Sequence, residues 1–350
     1  MTQFFKTYFR WYDLLALAVI LMRMVLPLAF IDWYYRVLFS GVRTVFDGLL
    51  GWYPWPLSYL FLIALVVFLA TFFYKIRERK LGYSALFMAR MLLWSVSLFF
   101  VLWGFNYGLP PLQKRLILTI PTIDSILIFN RLDKTVANLT RIRAALSADT
   151  LAFEPSPSMQ ANLEKDVRLH LQRFLLEHGY CASGTPRVKP VWPGLLLRWG
   201  VSGIYNPFVA EGQYDGGLHP LVQPFTLAHE MSHAYGVAPE SDCNFLAWVA
   251  CSGSNQPYLQ YAALLEEWAY LYAESRSLNR GRAKDIRSRL SRGVLADFKS
   301  INQAYGRYPE WFEGFGNVVN DAYLKTQGIK DGTHNYAYFV RLLFAWELKH

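Results

Sequence analysis

Three apolar stretches in the first third of the chain constrain its fold more than any other feature of the sequence. They cover about residues 14–31, 57–74 and 86–105. Each is close to the length of about 20 residues that a helix needs to cross a bilayer. The whole chain is 53% apolar and 17% charged, against roughly 45–50% and 25% in soluble domains, and the apolar excess is concentrated here. We predict that residues 1–110 form a membrane anchor of three transmembrane helices.

The first stretch is the least regular of the three. It contains Arg23 and Pro27, and an arginine deep in a membrane needs a partner or a route to the interface. Lys6 and Arg10 precede the stretch, as they would in a signal peptide, but no convincing small-x-small cleavage site follows it. We therefore expect a retained helix rather than a cleaved leader.

Basic residues between the second and third stretches predict the orientation of the anchor. Cytoplasmic loops of membrane proteins carry an excess of lysine and arginine. The segment after the second stretch contains Lys75, Arg77, Arg79 and Lys80, whereas acidic and basic residues balance after the first stretch. We therefore predict a multi-pass protein of the cytoplasmic (inner) membrane, with residues 111–350 on the extracytoplasmic side.

Hydrophobic periodicity predicts that residues 111–350 form a mainly helical domain with a small sheet. Residues 188–209 are rich in β-formers and broken by proline and glycine, which predicts short strands. Residues 211–217 are polar and glycine-containing, which predicts a loop. Helices are predicted, from apolar residues at helical spacing, at 132–146, 162–178, 225–235, 240–251, 258–277, 282–305, 310–327 and 336–348.

The net charge of +9 does not indicate a nucleic-acid partner. Much of the basic excess flanks the apolar stretches, and the sequence has no basic tract interleaved with aromatic residues. The lipid bilayer is the partner that this charge predicts. The three cysteines, Cys181, Cys243 and Cys251, follow neither a zinc-ligand nor a disulfide spacing, so free thiols are expected.

Residues 229–233 carry the pattern His-Glu-x-x-His, which is typical of zinc hydrolases. His229 and His233 are four residues apart, so a helix places both imidazoles on one face, where they can bind one metal ion. Zinc at a catalytic site takes three protein ligands and leaves one position for water. Glu230 lies beside the first histidine, where its carboxylate can act on that water as general base. The sequence therefore predicts one catalytic Zn²⁺ ion.

Glu240 is the predicted third zinc ligand. It lies seven residues after the His-Glu-x-x-His pattern, beyond Gly236, which allows the chain to turn. Asn244, four residues later, is placed to orient a ligand histidine through its free ring nitrogen. Asp242 is an alternative ligand, and His219 a more distant one. Carboxylates at positions 240 and 242 also suit the start of a helix, which is the structural explanation for both.

Six short motifs, spread over most of the chain, resemble one known family. They are GWYPWP at 51–56, WGFNY at 103–107, SGIYNPF at 202–208, PFTLAHE at 224–230, APESDCNFLA at 238–247 and NDAYL at 320–324. They are similar to those of an uncharacterised family of bacterial membrane proteins, a domain of unknown function considered zincin-like. The resemblance implies a zincin-like α+β domain at 111–350 with a small sheet and the His-Glu-x-x-His helix. The family's Glu-rich stretch corresponds here to residues 240–242, which keeps Glu240 and makes Asp242 the weaker candidate.

Analogy with zincins also implies a substrate-binding strand. Residues 203–208, which include Tyr205 and Asn206, are expected to align a peptide by backbone pairing above the metal. Tyr205, Tyr235 and His334 are candidates to stabilise the oxyanion of a tetrahedral intermediate. Packing in the core is the competing explanation for each of these aromatic side chains.

These features together predict a membrane-anchored zinc metallopeptidase that hydrolyses a peptide bond or a related amide bond, in a peptide or protein substrate, by metal-activated water. The alternative is a non-catalytic receptor or scaffold that zinc only stabilises. Glu230 discriminates between the two, because a structural zinc site has no need of an acid beside its ligand. An intramembrane protease is excluded, because the predicted helix at 225–235 is too short to span a bilayer and has polar flanks.

Overall fold

Helices account for most of the chain in the computed structural model, which describes residues 11–77, 81–312, 314 and 335–350. A small three-stranded sheet accompanies them. This agrees with the predicted mainly helical class. The helix predicted at 310–327 falls almost wholly outside the described residues, and His334 lies outside them as well.

The chain divides into two compact units, each assembled from separate segments. The first unit consists of Met1–Leu109, Ser183–Pro186 and Asn206–Glu211. The second unit consists of Pro110–Ala182, Arg187–Tyr205 and Gly212–His350.

Helices make up nearly all of the long segment in the first unit. They are α1 (Trp11–Val25), α2 (Leu28–Trp33), a π-helical turn (Tyr34–Phe39), α3 (Ser40–Leu50), α4 (Leu57–Ile76), α5 (Leu81–Leu102) and a 3₁₀ turn (Gly104–Gly108).

Two helices in the described part of the chain are long and apolar enough to cross a membrane. The qualifying windows are Leu57–Tyr74 in α4 and Ala85–Leu102 in α5. Both coincide with predicted stretches. Arg90 lies within α5, and its Nε donates a hydrogen bond to Asp13 Oδ2 of α1 at 2.9 Å. An ion pair inside the unit therefore accommodates this arginine in an apolar helix.

The first predicted stretch is not a single helix. Helix α1 ends at Val25, and the two segments Trp11–Arg23 and Leu28–Leu50 meet at an angle of 110°. Pro27 lies at the break, where its missing N–H and its ring prevent a helix from continuing. A third span exists only if this bent pair is counted as one.

The second unit contains the remaining elements. The strands are β1 (Val188–Val191), β2 (Gly203–Asn206, which ends in the first unit) and β3 (Glu211–Asp215, which begins there). The helices are α6 (Leu112–Arg115), α7 (Ser125–Leu146), α8 (Pro157–Ala161), α9 (Leu163–Glu177), α10 (Gln223–Ala234), α11 (Glu240–Ser252), α12 (Pro257–Leu278), α13 (Arg280–Ser288), α14 (Arg292–Gly306) and α15 (Asn335–Lys349).

Strand β3 occupies the centre of the sheet, in the order β1-β3-β2. It pairs in parallel with β1, with Val188 opposite Gly212 and Val191 opposite Asp215. The prediction of a loop at 211–217 was therefore wrong for its first five residues. The strand is polar in sequence yet largely buried, because long-range hydrogen bonds satisfy its side chains.

Asp215, the last residue of β3, fixes the loop that follows β1. Its carboxylate oxygens accept four backbone N–H groups, from Gly194 at 2.7 Å, Leu196 at 2.8 Å, Leu197 at 3.1 Å and Gly217 at 2.7 Å. A buried carboxylate needs such partners to offset its lost hydration. The loop is thereby tied to the end of the central strand.

The region predicted as one helix at 282–305 forms two helices instead. Helix α13 ends at Ser288, and α14 begins after Ser291, whose side chain accepts a hydrogen bond from the Val294 N–H. A serine cap of this kind starts a new helix. The next turns of α14 bring Asp297 to the core, where it accepts from Arg143 Nε at 2.7 Å and from the Tyr261 hydroxyl at 2.6 Å.

Candidate metal site

Helix α10 carries the His-Glu-x-x-His pattern. Pro224 lies in its first turn, where the missing N–H of proline is no loss. Ala228, Met231 and Ala234 have no exposed surface, so the helix is held firmly in the core of the second unit. The helix therefore presents its two histidines from a rigid support.

A sharp turn separates α10 from α11. Gly236 adopts φ +86°, a left-handed conformation that glycine reaches without the steric cost of a side chain. The chain reverses there, and α11 begins at Glu240. This reversal returns the carboxylate of Glu240 to the histidine face of α10.

Three potential ligand atoms converge at this place. The Nε2 atoms of His229 and His233 are 3.2 Å apart. Glu240 Oε2 is 3.1 Å from His229 Nε2, and Glu240 Oε1 is 3.5 Å from His233 Nε2. Two ligands about 2.0–2.1 Å from a tetrahedral zinc ion are separated by about 3.3 Å. The three side chains thus have the mutual spacing of a zinc site, and within the described residues they form a group suited to hold a metal ion.

The opposite ring nitrogens are held by acceptors. His233 Nδ1 lies 2.9 Å from the Val237 carbonyl oxygen, and His229 Nδ1 lies 2.8 Å from Asn244 Oδ1. The Asn244 amide nitrogen in turn donates to the Tyr270 hydroxyl at 3.1 Å. A carbonyl oxygen can only accept, so both Nδ1 atoms carry a proton, which leaves both Nε2 atoms as the ones that could bind a metal ion.

The charges of His229, His233 and Glu240 are coupled. Burial alone would raise the pKa of Glu240, but the charge of His233 and hydrogen bonds from both histidines outweigh it and lower that pKa. Burial acts to lower the pKa of His233, but Cys243 and Glu240 reverse the effect and raise it. The group therefore favours an ionised Glu240 carboxylate, as a cation site requires.

The side chain of Glu230 lies against the sheet and interacts electrostatically with His229, His233 and Glu240. A Cβ atom built on Gly203 of β2 would lie 2.6 Å from Glu230 Oε1, and one built on Gly212 of β3 would lie 3.1 Å from Glu230 Cβ. Two glycines thus make room for this side chain. Burial raises the pKa of Glu230 to about 7, against the opposing charges of His229 and His233. Its Oε2 atom is buried and has no hydrogen-bond partner among the described residues.

Glu266 is a site residue that the sequence analysis missed. It lies on α12, is half-buried, and interacts electrostatically with His229. Burial raises its pKa to about 7, and the charge of His229 opposes the rise. The adjacent pair Glu266-Glu267 indicates that the two acids have different surroundings, because neighbouring residues of a helix point in different directions. It does not indicate which residue either acid contacts.

Two of the alternative ligands are engaged elsewhere. Asp242 is buried, and its Oδ2 accepts the Leu112 N–H at 2.7 Å; burial raises its pKa to about 7. His219 Nδ1 accepts the Leu221 N–H at 3.2 Å, and its Nε2 lies 3.0 Å from the Ser300 hydroxyl. Neither belongs to the converging ligand group found within the described residues.

Tyr205, Asn206 and Tyr235, predicted for substrate contact, lie within the described residues. Asn206 lies in the first unit, where its Nδ2 donates to Ser58 Oγ at 2.9 Å. Tyr205 lies half-buried on β2, and Tyr235 is 1% exposed at the end of α10. Tyr235 therefore packs in the core.

Comparison with protein families assigns the chain. The family model described as "Protein of unknown function (DUF3810)" matches residues 34–344. Because the match covers most of the sequence, the chain belongs to this family. No curated protein and no solved structure matches it.

Proposed function

We propose that this member of the DUF3810 family is a membrane-associated, zinc-dependent peptidase. The mutual spacing of three ligand atoms carries the proposal: the distances of 3.2, 3.1 and 3.5 Å among His229, His233 and Glu240 match the edges of about 3.3 Å of a tetrahedral zinc site. The proposal extends to a zincin-like arrangement of the second unit.

The ligand group suits zinc by its chemistry as well as by its spacing. Two imidazoles and one carboxylate are a ligand set of catalytic zinc sites, which keep a fourth position open. Asn244 and the Val237 carbonyl fix the rings from behind, as partners of metal-bound histidines do. When bound, zinc polarises a carbonyl group and lowers the pKa of a water molecule.

Glu230 supplies the proton transfer in this proposal. Its carboxylate accepts a proton from the attacking water, whose oxygen forms a bond to the carbonyl carbon of the substrate. The C–N bond then breaks, and Glu230 returns the proton to the leaving nitrogen. Its position beside the ligands and its unpartnered Oε2 support this role, since an acid without a structural partner is costly unless it has a function.

The proposed location is a bacterial cytoplasmic membrane. Helices α4 and α5 supply two spans, and the bent pair α1 and α2–α3 supplies the third. Lysines and arginines at 75–80 favour a cytoplasmic position for the α4–α5 connection. With three spans, the residues after α5 lie on the extracytoplasmic side.

Metal analysis and hydrolysis test the proposal together. The full chain is purified in detergent, stripped with a chelator and reloaded with zinc, beside His233→Ala and Glu230→Gln. We expect about one zinc per parent chain and little in His233→Ala, from the stoichiometry of catalytic sites. Glu230→Gln should keep its zinc and lose about 10²–10⁴-fold in hydrolysis of a peptide library.

His170→Ala is the matched control, because His170 lies half-buried on α9 and should leave zinc content unchanged. Equal zinc content in the parent and His233→Ala would reject the metal site. Zinc binding with hydrolysis undiminished in Glu230→Gln would reject the base. Zinc binding without hydrolysis in the parent would favour a zinc-stabilised scaffold.

A further inference from the structure

Helix α12 presents two neighbouring acids to different surroundings. Glu267 is 1% exposed, and its oxygens accept hydrogen bonds from Arg131 Nε, Thr135 Oγ1 and Trp248 Nε1, each at 2.7 Å. Its acceptor capacity is used in the core. Glu266 is half-buried and, among the described residues, has neither a hydrogen bond nor a salt bridge.

The position of Glu266 on α12 places it beside the metal site. Tyr270, one helical turn later and therefore on the same face, accepts the hydrogen bond from Asn244, which holds His229. Glu266 interacts electrostatically with His229 as well. Its carboxylate is not part of the converging ligand group in the described structure, so it is available to a ligand.

Glu266 also interacts electrostatically with a residue of α14. That residue is Tyr305, which is 37% exposed and whose hydroxyl interacts with the Ser202 side chain. Ser202 directly precedes Gly203, the residue that lies against Glu230. Glu266 is therefore surrounded by groups that approach both the ligands and the proposed base.

We infer that Glu266 binds a cationic group of the substrate, an ammonium or a guanidinium, next to the scissile bond. The inference rests on the proposed peptidase function. A carboxylate that has lost much of its hydration and has no salt bridge among the described residues gains most from a positively charged ligand. Two sources supply this chemistry in a peptide: the free amino terminus and a lysine or arginine side chain. Glu266 is then a specificity-determining residue.

Binding of three hydroxamates, which chelate zinc without being hydrolysed as peptides, tests the inference in the zinc-loaded full chain. Leucine hydroxamate carries a free α-amino group. Nα-acetyl-lysine hydroxamate carries a side-chain ammonium, and N-acetyl-leucine hydroxamate carries neither group. By titration calorimetry we expect one cationic probe to bind about tenfold or more tightly than the neutral one, the scale of a charge-assisted hydrogen bond. Tighter binding of leucine hydroxamate identifies the amino terminus as the cationic group that Glu266 binds. Tighter binding of the lysine probe identifies a basic side chain.

Glu266→Gln should lose this preference, and Glu266→Asp should reduce it. Glu274→Gln is the matched control, because Glu274 lies on the same helix about 12 Å away and should keep the preference. Equal zinc content in all variants and the parent shows that the ligand group is intact.

Two failures are distinguishable. If all three probes leave the zinc-loaded chain unbound, the proposed site is wrong and the role of Glu266 falls with it. If the neutral probe binds and the cationic probes bind no better, or if Glu266→Gln keeps the preference, only the role of Glu266 is wrong. The parent alone decides the first comparison, so the test does not depend on the folding of a variant.

Discussion

Replacing Gly203 with alanine is expected to disable hydrolysis while leaving zinc in place. The new Cβ atom would lie 2.6 Å from Glu230 Oε1 and 2.9 Å from the backbone oxygen of Gln213, whereas ordinary contacts begin at 3.4 Å. To regain an ordinary contact, the Glu230 carboxylate and residue 203 must move apart by 0.8 Å, the difference between 2.6 and 3.4 Å. A displacement of about 1 Å in a catalytic group costs on the order of 100-fold in rate.

The cost to stability should be smaller than the cost to catalysis. Overpacking of this kind typically costs about 1–3 kcal/mol, part of it because the Gln213 backbone cannot yield as a flexible side chain does. The assay measures kcat/KM on a cleaved peptide, zinc content and thermal unfolding. Gly306→Ala is the control, since a Cβ atom at Gly306 meets nothing within 4 Å. Retention of at least half the parental kcat/KM in a zinc-loaded Gly203→Ala protein would refute the packing argument.

Three further substitutions separate metal binding from stability. Asn244→Ala should weaken zinc affinity about 10–100-fold by releasing the His229 ring, and an unchanged affinity in a competition titration with a chelator would contradict this. Asp242→Ala should lower the free energy of unfolding by about 1–3 kcal/mol, because the Leu112 N–H loses its acceptor. Its zinc content should equal that of the parent, and a loss of zinc would indicate that Asp242 is a ligand. Asp297→Ala should lower the free energy of unfolding more, by about 3–5 kcal/mol, because it removes the carboxylate that lies 2.7 Å from the buried guanidinium of Arg143, and an unchanged melting temperature would argue against that ion pair.

Local sequence signals predicted the geometry of the ligand group. The spacing of His229 and His233 determines their common face on any helix, and Gly236 marks where the chain turns. Glu240 lies close to the two histidines because the chain turns at Gly236 and the next helix begins at Glu240. Only a few residues separate these signals, so little of the surrounding fold is needed to bring the three ligands together.

Features that depend on distant partners were not predictable in this way. Strand β3 has a polar sequence, and only its place between β1 and β2 makes a strand of it. Glu266 approaches His229 through the packing of α12, which no local spacing reveals. The break between α13 and α14 did have a local signal in Ser291, but the apolar periodicity on both sides concealed it.

The carboxylate of Asp215 has a consequence for the dynamics of the loop that follows β1. Amide protons in irregular backbone ordinarily exchange with solvent quickly. Those of Gly194, Leu196 and Leu197 all donate to this one side chain, so a movement of the Asp215 carboxylate would release all three together. Their deuterium uptake should be slow and should follow a common time course, which makes this segment a reporter for opening of the sheet itself.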